Sequence, residues 1–369
     1  MSGSDAGATN SGVDNDDALV MRDVCHHYVA GTPVLRNLNV AVSRGEIACL
    51  LGSSGCGKTT ALRIVAGFEA VSAGEVYLAG QLVGRAGFAL PPEKRGVGMV
   101  FQDAALFPHK TIADNVGFGL QRFDRERRRA RVRELLAMVD LEAHARKWPH
   151  QLSGGQRQRA ALARAMAPEP GLILLDEPFS ALDSDLRRKL SRDVRALLKA
   201  NGMTAVLVTH DQQEAFAMAD RIALMHRGRL EQYGDARSLY DRPASRVVAG
   251  FIGEGVFLPV RREGNRLHGP AGEWPAPAAR ELEGELEVLV RPDEWSLVAE
   301  SDVVGSVLDV DYRGTGSLYR VRLAAYQEWP EQEIEVYFKE TLRVGEEVRL
   351  RLTTPPSRIF AKRTEATPK

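Results

Sequence analysis

Cysteine is scarce in this chain: the three present, Cys25, Cys49 and Cys56, sit near the N-terminus, odd in number and without CxxC spacing. That excludes a disulfide framework or a zinc ribbon and fits a reducing compartment. Net charge is missing as well, because 49 Lys and Arg balance 49 Asp and Glu. No overall field draws the chain to nucleic acid or to an anionic membrane, so any such partner must be met by a local patch. Long apolar runs are absent: nothing approaches the roughly 18 uninterrupted residues of a membrane-spanning helix, and the N-terminus lacks a signal-peptide pattern. There is no tandem repeat of about 20 to 50 residues. What remains is ordinary globular composition, 44% hydrophobic and 27% charged over 369 residues, a length for about two or three domains.

Residues 1–18 (MSGSDAGATNSGVDNDDA) are small, polar and acidic, with too little apolar surface to offset the entropy of ordering, so a disordered tail is expected. Over 19–241 short apolar runs alternate with helical patterns and Gly-rich turns, as in an α/β domain. Glu46–Leu51, Leu172–Leu175 and Thr204–Val208 are too short for helices and read as buried parallel strands. Helical periodicity is strongest in Arg125–Val139 and Leu186–Ala200. Over 247–369 the pattern changes to short alternating strands, Glu285–Arg291, Leu318–Leu323, Ile334–Phe338 and Val348–Leu352, which predict a small all-β barrel.

Gly52-Ser53-Ser54-Gly55-Cys56-Gly57-Lys58-Thr59 matches G-x-x-x-x-G-K-[ST] between an apolar strand and a helical segment. Glycines let the backbone of Gly52–Thr60 wrap a polyphosphate with its N–H groups inward, and the helical Ala61–Ala66 that follows adds its positive end. Lys58 is expected to reach the β and γ phosphates and the Thr59 hydroxyl to ligate Mg²⁺. Cys56 inside the loop reads as a small filler. Leu172–Leu175 leads to Asp176 and Glu177, at a strand end facing the ligand crevice. Asp176 is the expected magnesium-side carboxylate and Glu177 the general base for water. Kinases, GTPases and helicases share both elements, so these two motifs leave the kind of phosphate-loop protein open. Cys25-His26-His27 reads as structural, since neighbours on an extended segment point to opposite faces.

Leu152-Ser153-Gly154-Gly155-Gln156-Arg157-Gln158-Arg159, followed by a helical stretch, resembles the signature of ATP-binding cassette (ABC) proteins, and on it the chain is identified as a member of that family. Gln102 in Val100–Asp103, Ser180–Asp183, His210 in Val208–Asp211, and Tyr28, placed ahead of the first cassette strand, match the rest of its set. The resemblance implies ATP and Mg²⁺ as ligands, with Tyr28 stacking on adenine, Gln102 at the metal and among the catalytic residues, and Asp183 near the nucleotide. His210 follows an apolar strand and can donate to the γ-phosphate or orient water. Ser153 and Gly155 begin a helix, whose hydroxyl and free N–H groups form an anion site. The resemblance implies that this site, with Gly154 and Gln156, serves a neighbouring cassette in a two-fold homodimer.

The expected fold is therefore an α/β phosphate-loop cassette with a helical subdomain at about 103–167, followed by a small all-β, OB-like domain with a regulatory or dimer-stabilising role. Coiled-coil insertions, zinc modules, a second cassette and fused membrane helices are absent, which sets aside soluble, non-transport cassette proteins as the alternative class. A lone cassette with a β tail resembles the ATP-binding subunits of bacterial importers. Their partners would be membrane permeases and, indirectly, a solute-binding protein, with no nucleic acid, and their place the cytoplasmic face of the inner membrane. Phe251–Pro259 and Arg291–Leu297 resemble ferric-iron importer subunits, with polyamine, sulfate or sugar as the alternatives. Arg122–Arg133 holds seven arginines against two acids; it reads as a solvated helix face, with acidic headgroups or the acidic edge of a membrane partner as the other reading.

Overall fold

Apolar runs become the central strands of a computed structural model that describes residues 16–29, 31–180, 182–276, 285–356 and 358–362. The chain opens with β1 (Asp17–Val29), β2 (Thr32–Ser43), β3 (Ile47–Leu51), α1 (Lys58–Ala66), β4 (Ala73–Leu78), β5 (Gln81–Arg85) and β6 (Phe88–Ala89). It continues through β7 (Val97–Val100), α2 (Ile112–Val116), α3 (Arg125–Met138), α4 (Gly154–Met166), β8 (Leu172–Asp176), α5 (Ser184–Ala200) and β9 (Ala205–Thr209). Next come α6 (Gln212–Met218), β10 (Arg221–His226), β11 (Arg229–Gly234) and α7 (Ala236–Asp241). The chain divides into two compact units between Leu239 and Tyr240.

In the first unit every residue of β3 and of β9 is buried, as a parallel sheet covered on both faces requires. The sheet order is β11-β10-β3-β9-β8-β7, parallel from β10 to β7, with β11 antiparallel at one edge. A second, antiparallel sheet runs β2-β1-β4-β5-β6. Leu19, Val24, Leu35 and Val76 from it share one core with Leu50, Leu62, Ile64 and Val206. Gly74 lets β4 approach β1 closely within that sheet: at φ +86°, any Cβ there would lie 2.3 Å from the Asp23 carbonyl oxygen.

Residues 1–15 of the expected tail lie outside the described residues, but Asp17 and Ala18 at its end already belong to β1. Asp17 pairs with Ser43, and Ala18 is buried and accepts the Ala79 N–H. The strand begins early because Ala18 continues the apolar run of Leu19–Met21 into the core.

Helices α2 to α4 form the insertion between β7 and β8. In α3 the buried residues are Val132, Leu135 and Leu136, while Arg125, Arg129 and Arg133 are exposed. No helix among the described residues is long and apolar enough to cross a membrane.

The second unit starts with α8 (Arg246–Phe251), β12 (Val256–Glu263), β13 (Arg266–Gly269), β14 (Gly272–Pro275) and β15 (Leu286–Val290). It ends with β16 (Trp295–Leu297), β17 (Val304–Tyr312), β18 (Ser317–Leu323), β19 (Gln332–Phe338), β20 (Glu347–Leu352) and β21 (Ile359–Ala361). These strands make two antiparallel five-stranded sheets, β14-β13-β12-β15-β21 and β16-β20-β17-β18-β19. In β20, exposed and buried residues alternate without a break, so Val348, Leu350 and Leu352 join Leu258, Val288 and Val321 in a core of the unit's own.

Candidate active site

At the end of β3 the chain turns through Gly52–Gly57 into α1. The turn needs glycine: Gly52 has φ +157° with Met225 O 2.3 Å from where a Cβ would stand, and Gly57 has φ +104° with Leu35 Cδ2 at 2.6 Å. Ser53, Ser54 and Gly55 form the exposed rim, whereas Cys56 is buried and packs as a filler. Lys58 is only 5% exposed, and its Nζ donates to the carbonyls of Gly52 at 2.8 Å and Ser53 at 2.9 Å. No acid stands in the first turn of α1, so its positive end is available to an anion.

Two neighbouring strand ends bring the carboxylates. The Thr59 hydroxyl donates to Asp176 Oδ1 at 3.3 Å. Burial pushes the Asp176 carboxyl above its ordinary value, against the Thr59 hydrogen bond and the Arg63 and Lys58 cations. Glu177 sits at φ +44°, a left-handed conformation that costs a non-glycine residue about 1–2 kcal/mol. It is held there by its N–H to Val208 O at 3.0 Å and by the Ser180 hydroxyl, which donates to its carbonyl at 3.1 Å. Its carboxylate meets His210 Nδ1 at 3.3 Å. Lys58, Thr59, Asp176, Glu177 and His210 thus converge on one edge of the parallel sheet. A hydroxyl beside a carboxylate is a hard-oxygen donor set that fits Mg²⁺, and a carboxylate paired with imidazole can accept a proton from water.

Other predicted residues lie apart from that group. Gln102 is exposed on the turn after β7. Tyr28 stands inside β1 rather than ahead of the first strand, because the β1–β2 pairing continues to Val29. It is 55% exposed, its hydroxyl 3.3 Å from Thr60 Oγ1, so the ring stands beside the end of the phosphate loop. Ser153 caps α4, accepting the Gln156 N–H at 3.3 Å while Gln156 Oε1 accepts its own N–H at 3.0 Å. A Cβ on Gly154 would lie 3.0 Å from Leu182, and one on Gly155 2.9 Å from Leu190, so this turn packs on the segment carrying Asp183. Asp183 caps α5 through the Leu186 N–H at 2.9 Å. Among the described residues no hydrogen bond or ion pair joins Ser153–Gln156 or Asp183 to the phosphate loop. His26, in the Cys-His-His run, spends Nδ1 on the Ala70 carbonyl at 2.8 Å.

Four residues that the sequence reading passed over surround His210. Thr209 and Asp211 flank it, Arg187 pairs with Asp211 at 2.6 Å, and Glu214 is buried with 4% exposure. Burial alone would raise the Asp211 carboxyl, but the Glu214 N–H and the Arg187 guanidinium outweigh it and hold it low. Burial dominates at Glu214, lifting its carboxyl to about 7. The signal for this cluster is Asp211-x-x-Glu214 after an apolar strand, the pattern of a helix capping box.

A family model described as ABC transporter matches residues 35–180, and one described as TOBE domain matches residues 288–360. The chain is 45% identical over 326 residues to the Fe(3+) ions import ATP-binding protein FbpC 1 of Rhodococcus jostii, covering 87% of this chain and 93% of that protein. It is 43% identical to the sulfate/thiosulfate import ATP-binding protein CysA 2 of Chromobacterium violaceum, covering 82% and 84%. Among solved structures, an ATP-binding cassette dimer in a post-hydrolysis state with ADP and Pi aligns with TM-score 0.52 and 34% identity, over 59% of this chain and 98% of that one.

Glu214 gives the site a pH signature. Its folded-state value of about 7 lies above the ordinary 4.5, so between those values the folded protein holds a proton that the unfolded chain has released. Stability therefore falls as pH rises through that window. Glu214→Gln cannot ionise, and thermal unfolding should show it more stable than the parent at pH 8, by up to about 3 kcal/mol, with the difference vanishing near pH 4.5. An equal difference at both pH values would contradict a buried neutral acid.

Proposed function

The chain belongs to the ABC transporter family, and from that premise we propose that it is the ATP-hydrolysing subunit of an importer for ferric iron, working through a separate permease. The observation that carries the catalytic reading is the convergence of Lys58, Thr59, Asp176, Glu177 and His210 on one sheet edge. Gly52–Thr60 would cradle the phosphates, the Tyr28 ring would stack on adenine, and Lys58 would exchange its loop carbonyls for phosphate oxygens. Thr59, Asp176 and Gln102 would hold Mg²⁺, which supplies charge neutralisation of the phosphates. Glu177 takes the proton of the attacking water. His210, with Nδ1 on Glu177, has Nε2 left for the γ-phosphate or that water.

Two such chains would close head to tail, each offering Ser153, Gly154, Gly155, Gln156 and Asp183 to the nucleotide on the other's Lys58. That dimer would sit on the cytoplasmic face of the membrane against its permease, with the β domain, from about residue 247, regulating or steadying it. Iron as the solute is supported by the identity to a ferric-iron import protein over nearly its whole length. The solute need never touch this chain: a loaded binding protein outside favours the permease state that brings the cassettes together.

Glu177→Gln should lower ATP turnover by about 10² to 10⁴-fold and leave ATP affinity near that of the parent; turnover at the parent rate would remove Glu177 as the base. In a transporter reconstituted with its permease, iron-loaded binding protein should stimulate ATP hydrolysis far more than the empty form. Stimulation by a sulfate-, polyamine- or sugar-loaded protein instead would reassign the solute and keep the motor.

A further inference from the structure

The turn carrying His210 is held from beneath by hydrogen bonds that touch no nucleotide. The Thr209 hydroxyl accepts the Asp211 N–H at 3.0 Å and donates its single proton to Glu214 Oε2 at 2.7 Å. These two bonds fix the backbone on both sides of His210. Asp211 Oδ1 accepts the N–H groups of Gln213 at 2.8 Å and Glu214 at 3.1 Å, and its Oδ2 accepts Arg187 Nη1 at 2.6 Å. The other arm of Arg187 donates to the Leu182 carbonyl at 2.9 Å, one residue before Asp183. A continuous path therefore joins the loop entering α5 to the His210 turn, and Glu214 closes its far end.

Glu214 is the costly member of this path. It is buried, and among the described residues its Oε1 has no hydrogen-bond partner. Facing it are Asp211 from its own turn, Arg187 from α5, Glu177 from the segment after β8 and the buried Cys49 thiol from β3. Arg187 is already committed to Asp211, so an ionised Glu214 would add a negative charge to a dry pocket without a cation of its own. A leucine would fill the same space without that cost. What a leucine lacks is an acceptor for Thr209, and with no acceptor the hydroxyl proton rotates freely and the lone pair aimed at Asp211 N–H is no longer fixed.

We propose that Glu214 is a positioning residue for ATP hydrolysis: through the Thr209 hydroxyl its side chain sets the turn that aims His210, a turn that Asp211 and Arg187 tie separately to the loop entering α5. The inference rests on the proposed role of His210 at the γ-phosphate. It makes the aim of the imidazole depend on a carboxyl that contacts no substrate.

The test compares kcat and KM for ATP in the assembled transporter for Thr209→Val, Glu214→Ala, Glu214→Gln and His210→Ala. Thr209→Val conserves volume and removes only the hydroxyl. Thr209→Val and Glu214→Ala should each lower kcat by roughly ten-fold or more, a misaimed group being that costly, with KM nearly unchanged. Combining them should add no further loss, because both break one linkage. Glu214→Gln keeps an acceptor for Thr209 and should restore kcat. Parent-like kcat in Thr209→Val, or Glu214→Gln as damaged as Glu214→Ala, would overturn the proposal. His210→Ala separates the two levels: turnover that survives it removes the role of His210 itself. An inactive His210→Ala beside fully active Thr209→Val and Glu214→Ala removes only the positioning role of Glu214.

Discussion

Parallel pairing of β3 with β9 and of β9 with β8 is the constraint on which the rest depends. Its register sets Leu51 opposite Thr209 and Asp176 opposite Val208, so three loops leave the sheet side by side. One loop wraps the Lys58 ammonium in backbone carbonyls, one carries two acids, and one carries an imidazole. A one-residue slip of β8 would turn Asp176 to the other face of the sheet and separate it from Thr59. The full burial of β3 and β9 protects that register, since any slip would break the packing of both faces at once.

Chemical groups also gather away from that edge. Ser153 opens α4 and Asp183 opens α5, and the two turns pack on each other through Gly154 and Leu182. Each is saturated within its own cap, yet both lie on helix N-termini that favour anions. In the account proposed above, a single chain holds a phosphate half-site and a separate signature half-site, and self-complementary closure of two copies brings unlike halves together. Within one copy, Arg187 bridges Asp211 in the His210 turn to the Leu182 carbonyl beside the signature turn.

Much of this was legible in the sequence, for definite physical reasons. Gly52–Thr59 declares itself because only glycine fits beside Met225 O and Leu35, and the strands β3, β8 and β9 because continuous burial forces continuous apolarity. The C-terminal sheets show through the alternation in Val348, Leu350 and Leu352. The β1–β2 hairpin was less visible, its alternation interrupted by bulges between Met21 and Val29, and so Tyr28 appeared to precede a strand that contains it. Glu214 showed only as the end of a capping-box pattern, not as a buried acid. Nothing local distinguishes a solvated helix-cap glutamate from one that α5, β3 and the Glu177 turn enclose, since that enclosure exists only in the tertiary fold.

Whether the catalytic site is completed between two chains can be decided by mixing two defective ones. Lys58→Ala and Ser153→Arg chains, each inactive alone, are assembled as a defined heterodimer on the permease and ATP hydrolysis is measured. One composite site, the Lys58 of one chain facing the Ser153 of the other, is then intact, and activity should rise well above that of either variant alone. A heterodimer that forms and stays as inactive as its parents would contradict a site completed between chains.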